Sequence, residues 1–247
     1  MRYFELNCTL YLKEELYYLH LHERLSKFIN EAFNDKDKLS KFHFKNGYKH
    51  YCFDLLYNPH LKIKNGIYPK ENSYRFRLRS LERNLLENLQ NRFVEVKNPT
   101  FVYISSAIKE IKKFFVQNLT SVTPVIVSVD VENTKQPRHW TIKEDGDILR
   151  LSRQLHENLL KKYESFYKEK LNPSQNFIQL IEITNRVPQT IRIDKNNKEI
   201  KFFGNKFKII PNEDDISQKL AFLALSCGLG EKQSYGGGFC IGKGLNL

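Results

Sequence analysis

The chain has 247 residues, with 40 Lys and Arg against 28 Asp and Glu, and a formal net charge of +12. A chain of this length forms one large domain or two small ones, and either can bury a hydrophobic core. The basic balance favours a polyanionic partner, with nucleic acid ahead of an anionic membrane. No apolar run approaches the roughly 20 residues of a membrane span, and acids interrupt the N-terminal segment where a signal peptide would be apolar. We therefore expect a cytoplasmic protein without a membrane partner.

The chain contains four cysteines, Cys8, Cys52, Cys227 and Cys240. They are far apart and form no C-x-x-C pair, which argues against a zinc knuckle and a disulfide framework. We expect reduced, mostly buried thiols. The adjacent acids Asp214 and Asp215 stand at a predicted helix start, where carboxylates stabilise the helix dipole. The sequence therefore predicts neither a metal site nor a cofactor.

The first half of the chain has the predicted order strand, helix, strand, strand, helix, strand. Residues 2–12 alternate and are rich in β-formers, so they predict a strand. One apolar stripe predicts the next helix, and it consists of Leu21, Leu25, Phe28, Ile29 and Ala32. Strands are predicted in "YCFDLLY", "YRFRLRSL" and "PTFVYISSAI", with a helix in "LERNLLENLQNRF" before the last of them.

The second half repeats that order in a looser form. A β-rich run, "KKFFVQNLTSVTPVIVSVDV", precedes a predicted helix from about residue 149 to residue 171. Strands are predicted in "NFIQLIEI", "QTIRI", "KEIKFFGNKFKII" and "GGFCIGKGL", and a helix in "NEDDISQKLAFLALSCG". The sequence thus predicts an α+β fold of two tandem ferredoxin-like βαββαβ units, residues 1–110 and residues 111–247.

Five of the chain's 11 glycines lie between residues 228 and 238, in a loop that joins the last predicted helix to the last strand. Because glycine lacks Cβ and permits positive φ, such a backbone can approach another backbone or a phosphate closely. Polar side chains in the loop add donors to a phosphate cradle of exposed N–H groups. The alternative is a loop that only packs one unit against the other. For the cradle, the predicted RNA-binding residues are Gly228, Gly230, Lys232, Ser234, Gly236 and Gly238.

The stretch "YRFRLRSL" is the strongest binding signal outside the loop. Arg75, Arg77 and Arg79 share one face of the predicted strand, about 6.6 Å apart at 3.3 Å per residue. That spacing can follow a nucleic-acid backbone, and arginine forks onto phosphate and guanine edges. The alternative is a charged face that protects an edge strand. We predict that the three arginines bind RNA.

Two ferredoxin-like units, a basic charge and a terminal glycine-rich loop together resemble the repeat-processing endoribonucleases of CRISPR systems, within the RAMP superfamily of RNA-binding proteins. The resemblance covers nearly the whole chain in its order of elements, and the loop at residues 228–238 carries it as a motif. It implies precursor CRISPR RNA as the partner and cleavage inside the repeat by 2′-hydroxyl attack on the scissile phosphate. The implied products carry a 2′,3′-cyclic phosphate or 3′-phosphate and a 5′-hydroxyl.

Cleavage of RNA without a metal needs a base for the 2′-hydroxyl, an acid for the leaving oxygen and a cation near the phosphate. In the family that the chain resembles, the catalytic histidine lies between the first helix and the second strand, and a lysine follows it. The stretch "KFHFKNGYKHYCFDLL" matches, with His43 in the histidine position and Lys49 in the lysine position. On its own, His43 is equally well interpreted as a partly buried loop histidine. His50, His20 and His22 are the rival bases.

One family feature is missing. Some members place a catalytic tyrosine on the first helix, where this chain has Phe28, which lies on the apolar stripe and has no hydroxyl. Tyr48 or Tyr51 can take its place, or the reaction can use histidine and lysine alone.

The favoured function is metal-independent processing of CRISPR precursor RNA. A non-catalytic RAMP subunit that holds guide RNA in an effector complex is the first alternative, and it would not need a histidine at position 43. A generic RNA-binding protein is the second, but the sequence lacks a surface-aromatic RNP-type signature. Effector-complex subunits and a second copy of the chain stay open as protein partners.

Overall fold

The structure is a computed structural model that describes residues 1–33, 47–130, 138–195 and 198–245. Its first part contains β1 (Arg2–Leu12), β2 (Leu16–Tyr17), α1 (Leu21–Phe33), β3 (Tyr51–Phe53), β4 (Ile67–Tyr68), β5 (Asn72–Ser80), α2 (Arg83–Phe93) and β6 (Phe101–Lys112). The second part contains β7 (Phe115–Ser121), β8 (Ser128–Val129), β9 (Arg138–His139), α3 (Ile148–Tyr167), β10 (Ile178–Ile183), β11 (Gln189–Lys195), β12 (Lys198–Gly204), β13 (Phe207–Pro211), α4 (Asp215–Cys227) and β14 (Cys240–Leu245). Short 3₁₀ turns cover Tyr18–His20 and Gln233–Tyr235.

The first sheet has the strand order β3-β5-β1-β6, and all its pairs are antiparallel. Alternate residues of β1 are buried beneath the helices, as the period of two requires; they are Phe4, Leu6, Cys8, Leu10 and Leu12. The predicted apolar stripe of α1 is buried along its whole length. Phe28 of that stripe stacks on Phe93 of α2 with ring centroids 4.9 Å apart, which joins the two helices over the sheet.

The second sheet repeats this topology with the order β10-β13-β7-β14. Its helix α4 is capped at the N-terminus by Asp214, whose carboxylate accepts a hydrogen bond from the Ser217 N–H, and at the C-terminus by Gly228 with φ +75°. The helix contacts β7, β13 and β14 of its own sheet and also β3 and β5 of the first sheet. Because it packs against both units, α4 is buried on almost every side.

Both sheets connect their strands as βαββαβ, so the predicted pair of tandem ferredoxin-like units is confirmed. The first sheet ends at Lys112 and the second begins at Phe115, close to the predicted division at residues 110 and 111. The predicted helix from about residue 149 to residue 171 ends at Tyr167, because Lys168 adopts a left-handed conformation with φ +58°.

One predicted strand is divided in two. The stretch "KEIKFFGNKFKII" forms β12, which pairs with β11 as a separate hairpin, and β13, which joins the second sheet. The break falls at Gly204, where a Cβ would lie 2.3 Å from the carbonyl oxygen of Val125. The neighbouring Asn205 accepts a backbone hydrogen bond from Val125. The close approach of these two backbones turns the chain out of one strand and into the other.

Candidate catalytic and RNA-binding site

The predicted catalytic pair falls in the connection between α1 and β3. His43 lies within residues 34–46, outside the described residues, so its role stays a prediction. Lys49 is described and partly buried just ahead of β3. Loss of solvent lowers the pKa of Lys49 below its ordinary value. A lowered pKa brings an ammonium group closer to the range in which it gives up a proton near neutral pH.

A cleft of about 210 Å³ opens beside this connection, between the two units. Its walls are Tyr48 from the first unit and Val127, Ser128, Gln154, Glu157, Asn158, Lys161, Gly230 and Glu231 from the second. The Glu231 carboxylate is held in place by the Ser128 N–H at 3.0 Å and by the Ser128 hydroxyl at 2.8 Å. Burial and the charge of Glu231 raise the pKa of the Tyr48 phenol. Tyr48 therefore lies at a polar cleft formed by both units, and Lys49 follows it in the chain.

Two of the rival histidines are bound within the protein. His50 Nε2 lies 2.6 Å from Ser165 Oγ on α3, and the ring packs edge-on against Phe166. His22 is buried on α1, and its Nδ1 donates to the carbonyl oxygen of Tyr235 at 2.8 Å. Burial lowers the pKa of each of these histidines to about 4, so both are neutral at physiological pH. The third rival, His20, is exposed on the 3₁₀ turn before α1.

The two candidate tyrosines differ in access. Tyr51 is 3% exposed and packs against Phe33, and burial raises the pKa of its phenol well above the ordinary value. Tyr48 is 37% exposed at the cleft. Of the two, Tyr48 is the one that a bound strand can reach.

The three predicted RNA-binding arginines do not form one exposed row. Arg75 is exposed, whereas Arg77 is partly buried and pairs with Asp54 through a 2.7 Å contact from Nε to Oδ2. Arg79 is 5% exposed. The expected row is therefore wrong at Arg79, because the second unit covers that end of the strand.

The contacts of Arg79 are all of a structural kind. Its Nε donates to the Glu5 carboxylate at 2.6 Å, and its Nη1 donates to the carbonyl oxygens of Leu225 at 3.1 Å and Cys240 at 2.6 Å. The guanidinium also lies 4.4 Å from the ring centroid of Phe239. Arg79 thus ties the first sheet to helix α4 and strand β14. Binding of RNA phosphate stays a prediction for Arg75 and Arg77.

The glycine loop is folded inward between the units. Lys162 of α3 is 1% exposed, and its ammonium donates to the carbonyl oxygens of Gly228 and Gly230, each at 2.8 Å. Burial lowers the pKa of Lys162 to about 8. Gln233 donates to the carbonyl oxygens of Leu229 and Gly230 at 2.9 and 2.8 Å. The loop carbonyls are therefore bound by side chains of the protein itself.

The glycines of the loop are needed for close packing within the protein. A Cβ on Gly230 would lie 2.4 Å from the carbonyl oxygen of Ile126, and one on Gly238 would lie 1.9 Å from that of Leu229. Gly228 and Gly236 are also buried with positive φ. The contacts agree with a packing role for these four glycines, while contact of the loop backbone with RNA stays a prediction.

Lys232 and Ser234 of the loop remain at the surface. Lys232 is partly exposed, and its ammonium lies 5.2 Å from the ring centroid of Phe202. Ser234 is partly exposed, and its carbonyl oxygen accepts a hydrogen bond from the Ser26 hydroxyl at 2.9 Å. Contact of these two side chains with RNA stays a prediction.

All four cysteines are buried and free, as expected for reduced core thiols. Within the described ranges, no three His, Cys, Asp or Glu side chains come together as a possible metal site. In the same residues, no helix is long and apolar enough to cross a membrane.

The fold and the site define a class of protein with two tandem ferredoxin-like units, a basic charge and a glycine loop packed at their junction. Residues 106–241, more than half of the chain, match the family described as "CRISPR associated protein Cas6, C-terminal". The chain therefore belongs to the family of CRISPR-associated Cas6 proteins.

Individual proteins that are similar to this chain have names of the same kind. The chain is 23% identical over 222 residues to "CRISPR-associated endoribonuclease Cas6 2" of Methanocaldococcus jannaschii, an alignment that covers 86% of this chain and 88% of that one. It is similar in fold to a structure titled "CRISPR associated protein Cas6", with a TM-score of 0.72, 22% identity and coverage of 98% and 99% of the two chains. A structure titled "An RAMP protein binding different RNA substrates" has a TM-score of 0.71 at 16% identity, covering 97% and 99%.

Sequence reasoning missed Lys162, although a signal for it was present. Leu155, Leu159 and Lys162 follow one another at i, i+4 and i+7, so the lysine lies on the apolar stripe of α3. A charge on such a stripe indicates a buried partner, and here the partners are loop carbonyls. Glu231, which lines the cleft, has no comparable pattern around it.

Proposed function

We propose that this chain is an endoribonuclease that cleaves CRISPR precursor RNA within its repeats, without a metal ion, and that His43 and Lys49 carry the chemistry. The observation that carries the proposal is the position of Lys49, which is partly buried and directly follows Tyr48 of the polar cleft, in a chain of the Cas6 family. The curated relative, itself named an endoribonuclease, supports the same reaction class.

The proposed reaction is a transesterification followed by product release. A ring nitrogen of His43 takes the proton of the 2′-hydroxyl, and the resulting oxygen forms a bond to the scissile phosphorus. The bond from phosphorus to the 5′-oxygen breaks, and that oxygen takes up a proton. The Lys49 ammonium offsets the added charge on the phosphate oxygens or supplies that proton.

His22 and His50 are already hydrogen-bonded within the protein, which supports His43 as the base. His22 and His50 are buried against protein partners and have a pKa of about 4, far from the value near 7 that suits a general base. The reference pKa of histidine, about 6.5, lies close to that value.

The test is single-turnover cleavage of the host's own CRISPR repeat RNA in EDTA, with binding measured on an RNA that has a 2′-deoxy group at the scissile position. We expect His43→Ala to slow cleavage by roughly 10²- to 10⁴-fold and to leave binding nearly unchanged, because a proton-transfer group acts on the transition state. Lys49→Ala should slow cleavage less, since other cations of this basic chain partly replace it.

His50→Gln is the matched control, because glutamine can keep the hydrogen bond to Ser165 without titrating. Its cleavage rate should be close to that of the unchanged chain. Loss of activity in EDTA with recovery in magnesium would overturn the metal-independent mechanism. Normal cleavage by His43→Ala, with His20→Ala and His22→Gln also active, would leave a non-catalytic RNA-holding subunit as the better account.

A further inference from the structure

Four aromatic and basic residues from three separate elements meet next to the cleft. Phe202 of β12 stacks on Tyr235 of the loop, with centroids 5.8 Å apart and ring planes 19° apart. Lys232 lies 5.2 Å from the Phe202 centroid, and His139 of β9 packs edge-on against Phe202 at 5.5 Å. We call these residues, Phe202, Tyr235, Lys232 and His139, the junction cluster.

Phe203 extends the junction cluster to the surface. It is 42% exposed, and its ring centroid is 6.3 Å from that of His139. Phe202, Phe203 and Tyr235 are members of neither hydrophobic core. An isolated exposed phenylalanine needs no explanation, but this one adjoins a stacked aromatic pair and a cation outside both cores.

The loop side of the junction cluster is fixed by the first unit. His22 binds the carbonyl oxygen of Tyr235, and Ser26 binds that of Ser234. Both donors come from consecutive turns of α1, so the loop cannot shift without breaking two buried contacts. A rigid aromatic surface loses little conformational entropy when a planar ligand stacks on it.

Glu231 places the junction cluster beside the candidate catalytic segment. Its carboxylate lines the cleft together with Tyr48, and it lies 3.7 Å from the Lys232 ammonium. Its charge also acts on both Tyr48 and His139. The junction cluster and Tyr48 therefore both lie close to Glu231.

We propose that the junction cluster and Phe203 form a stacking site for an unpaired RNA base close to the cleaved phosphate, with Lys232 binding the adjoining backbone. Aromatic side chains stack on unpaired bases in single-stranded RNA, and a lysine beside them neutralises the phosphate charge. The choice of an RNA base rests on the proposed function. The base stacks where the exposed ring of Phe203 and the near-parallel rings of Phe202 and Tyr235 lie.

The test is a double-mutant cycle between the protein and the RNA. Binding of the 2′-deoxy repeat RNA is measured for the unchanged chain and for Phe203→Leu, with RNAs in which each unpaired nucleotide in turn is abasic. We expect Phe203→Leu to weaken binding by roughly 5- to 150-fold, the range for losing one stacked base. One abasic position should weaken binding to the unchanged chain but not to Phe203→Leu, while Phe203→Trp keeps the effect.

Tyr235→Leu provides a second variant at the same site, and it should couple to the same nucleotide or its neighbour. Thermal melting of each variant reports whether the fold is kept. The stacking site would be overturned if both variants bound with wild-type affinity. It would also be overturned if the affinity lost in each variant were the same for every abasic RNA, because no nucleotide would then be coupled to the protein residue. Coupling at one nucleotide in a chain that fails to cleave would support the stacking site and reject the proposed function. Cleavage of the repeat without such coupling would support the proposed function and reject the stacking site.

Discussion

Arg79 and Arg75 stand four residues apart on one strand face, yet Arg79 is buried and Arg75 is exposed. Replacing Arg79 by methionine keeps a long side chain but removes every donor of the guanidinium. The Glu5 carboxylate, whose side chain is 13% exposed, then loses its cation, and the carbonyl oxygens of Leu225 and Cys240 lose their side-chain donor. Removing one partner of a buried ion pair costs about 3–5 kcal/mol.

We place the loss of unfolding free energy for Arg79→Met near the upper end of that range, because each buried carbonyl left without a donor costs about 1–3 kcal/mol on its own. The contributions are not additive, since all three acceptors share one guanidinium. A loss of this size lowers the melting midpoint by on the order of 10 °C for a chain of this length. Adding Glu5→Gln to Arg79→Met should recover part of the loss, because it removes the unpaired charge.

Urea unfolding followed by circular dichroism measures these differences, and Arg75→Met is the matched control. Because Arg75 is exposed, its variant should stay within about 0.5 kcal/mol of the unchanged chain. If Arg75 binds a phosphate, the slope of log affinity against log salt should fall by about 0.7 for single-stranded RNA. The reasoning is refuted if Arg79→Met unfolds like the unchanged chain and instead shows the reduced salt slope.

Two further predictions concern the packed loop. Gly238→Ala should destabilise the fold and reduce RNA affinity only in proportion to the unfolded fraction, since its Cβ would lie 1.9 Å from a backbone oxygen. Melting and binding curves of this variant and of the unchanged chain check this, and an RNA affinity that falls further than the unfolded fraction would contradict it. The pKa of Lys162 is lowered by burial to about 8, below about 10.4 in an unfolded chain. Between these values the unfolded state binds more protons, so the contribution of Lys162 to unfolding free energy rises with pH, by up to about 3 kcal/mol. Lys162→Met should lose that rise between pH 8 and pH 10 in urea unfolding, and an identical pH dependence in the two chains would contradict the burial of its charge.

Local patterns predicted the elements well where burial follows a simple period. Strand β1 alternates and the stripe of α1 repeats at helical spacing, and both are buried as those periods require. The bounds of β1 and α1 depend on residues only a few positions away in the sequence. The order of such elements was then enough to give the tandem ferredoxin-like topology.

The burial of Arg79 and the division of β12 from β13 depend on contacts between distant parts of the chain, so local sequence patterns did not predict them. Arg75, Arg77 and Arg79 have the same spacing and the same chemistry, and only the position of α4 and Phe239 determines which of them is covered. The division of β12 from β13 depends on the approach of Val125 to Gly204, nearly 80 residues earlier in the chain. No local period encodes either contact.

The packed glycine loop changes how a loop variant should be interpreted. Its carbonyls are held by Lys162, Gln233, His22 and Ser26, and its Glu231 carboxylate lines the cleft beside Tyr48. The glycines thus allow the loop to pack closely on the backbone of the second unit and on side chains of the first, and this packing positions the loop side chains that face solvent. We therefore expect a loop glycine variant with altered cleavage to act by displacing Glu231, Lys232 and Tyr235.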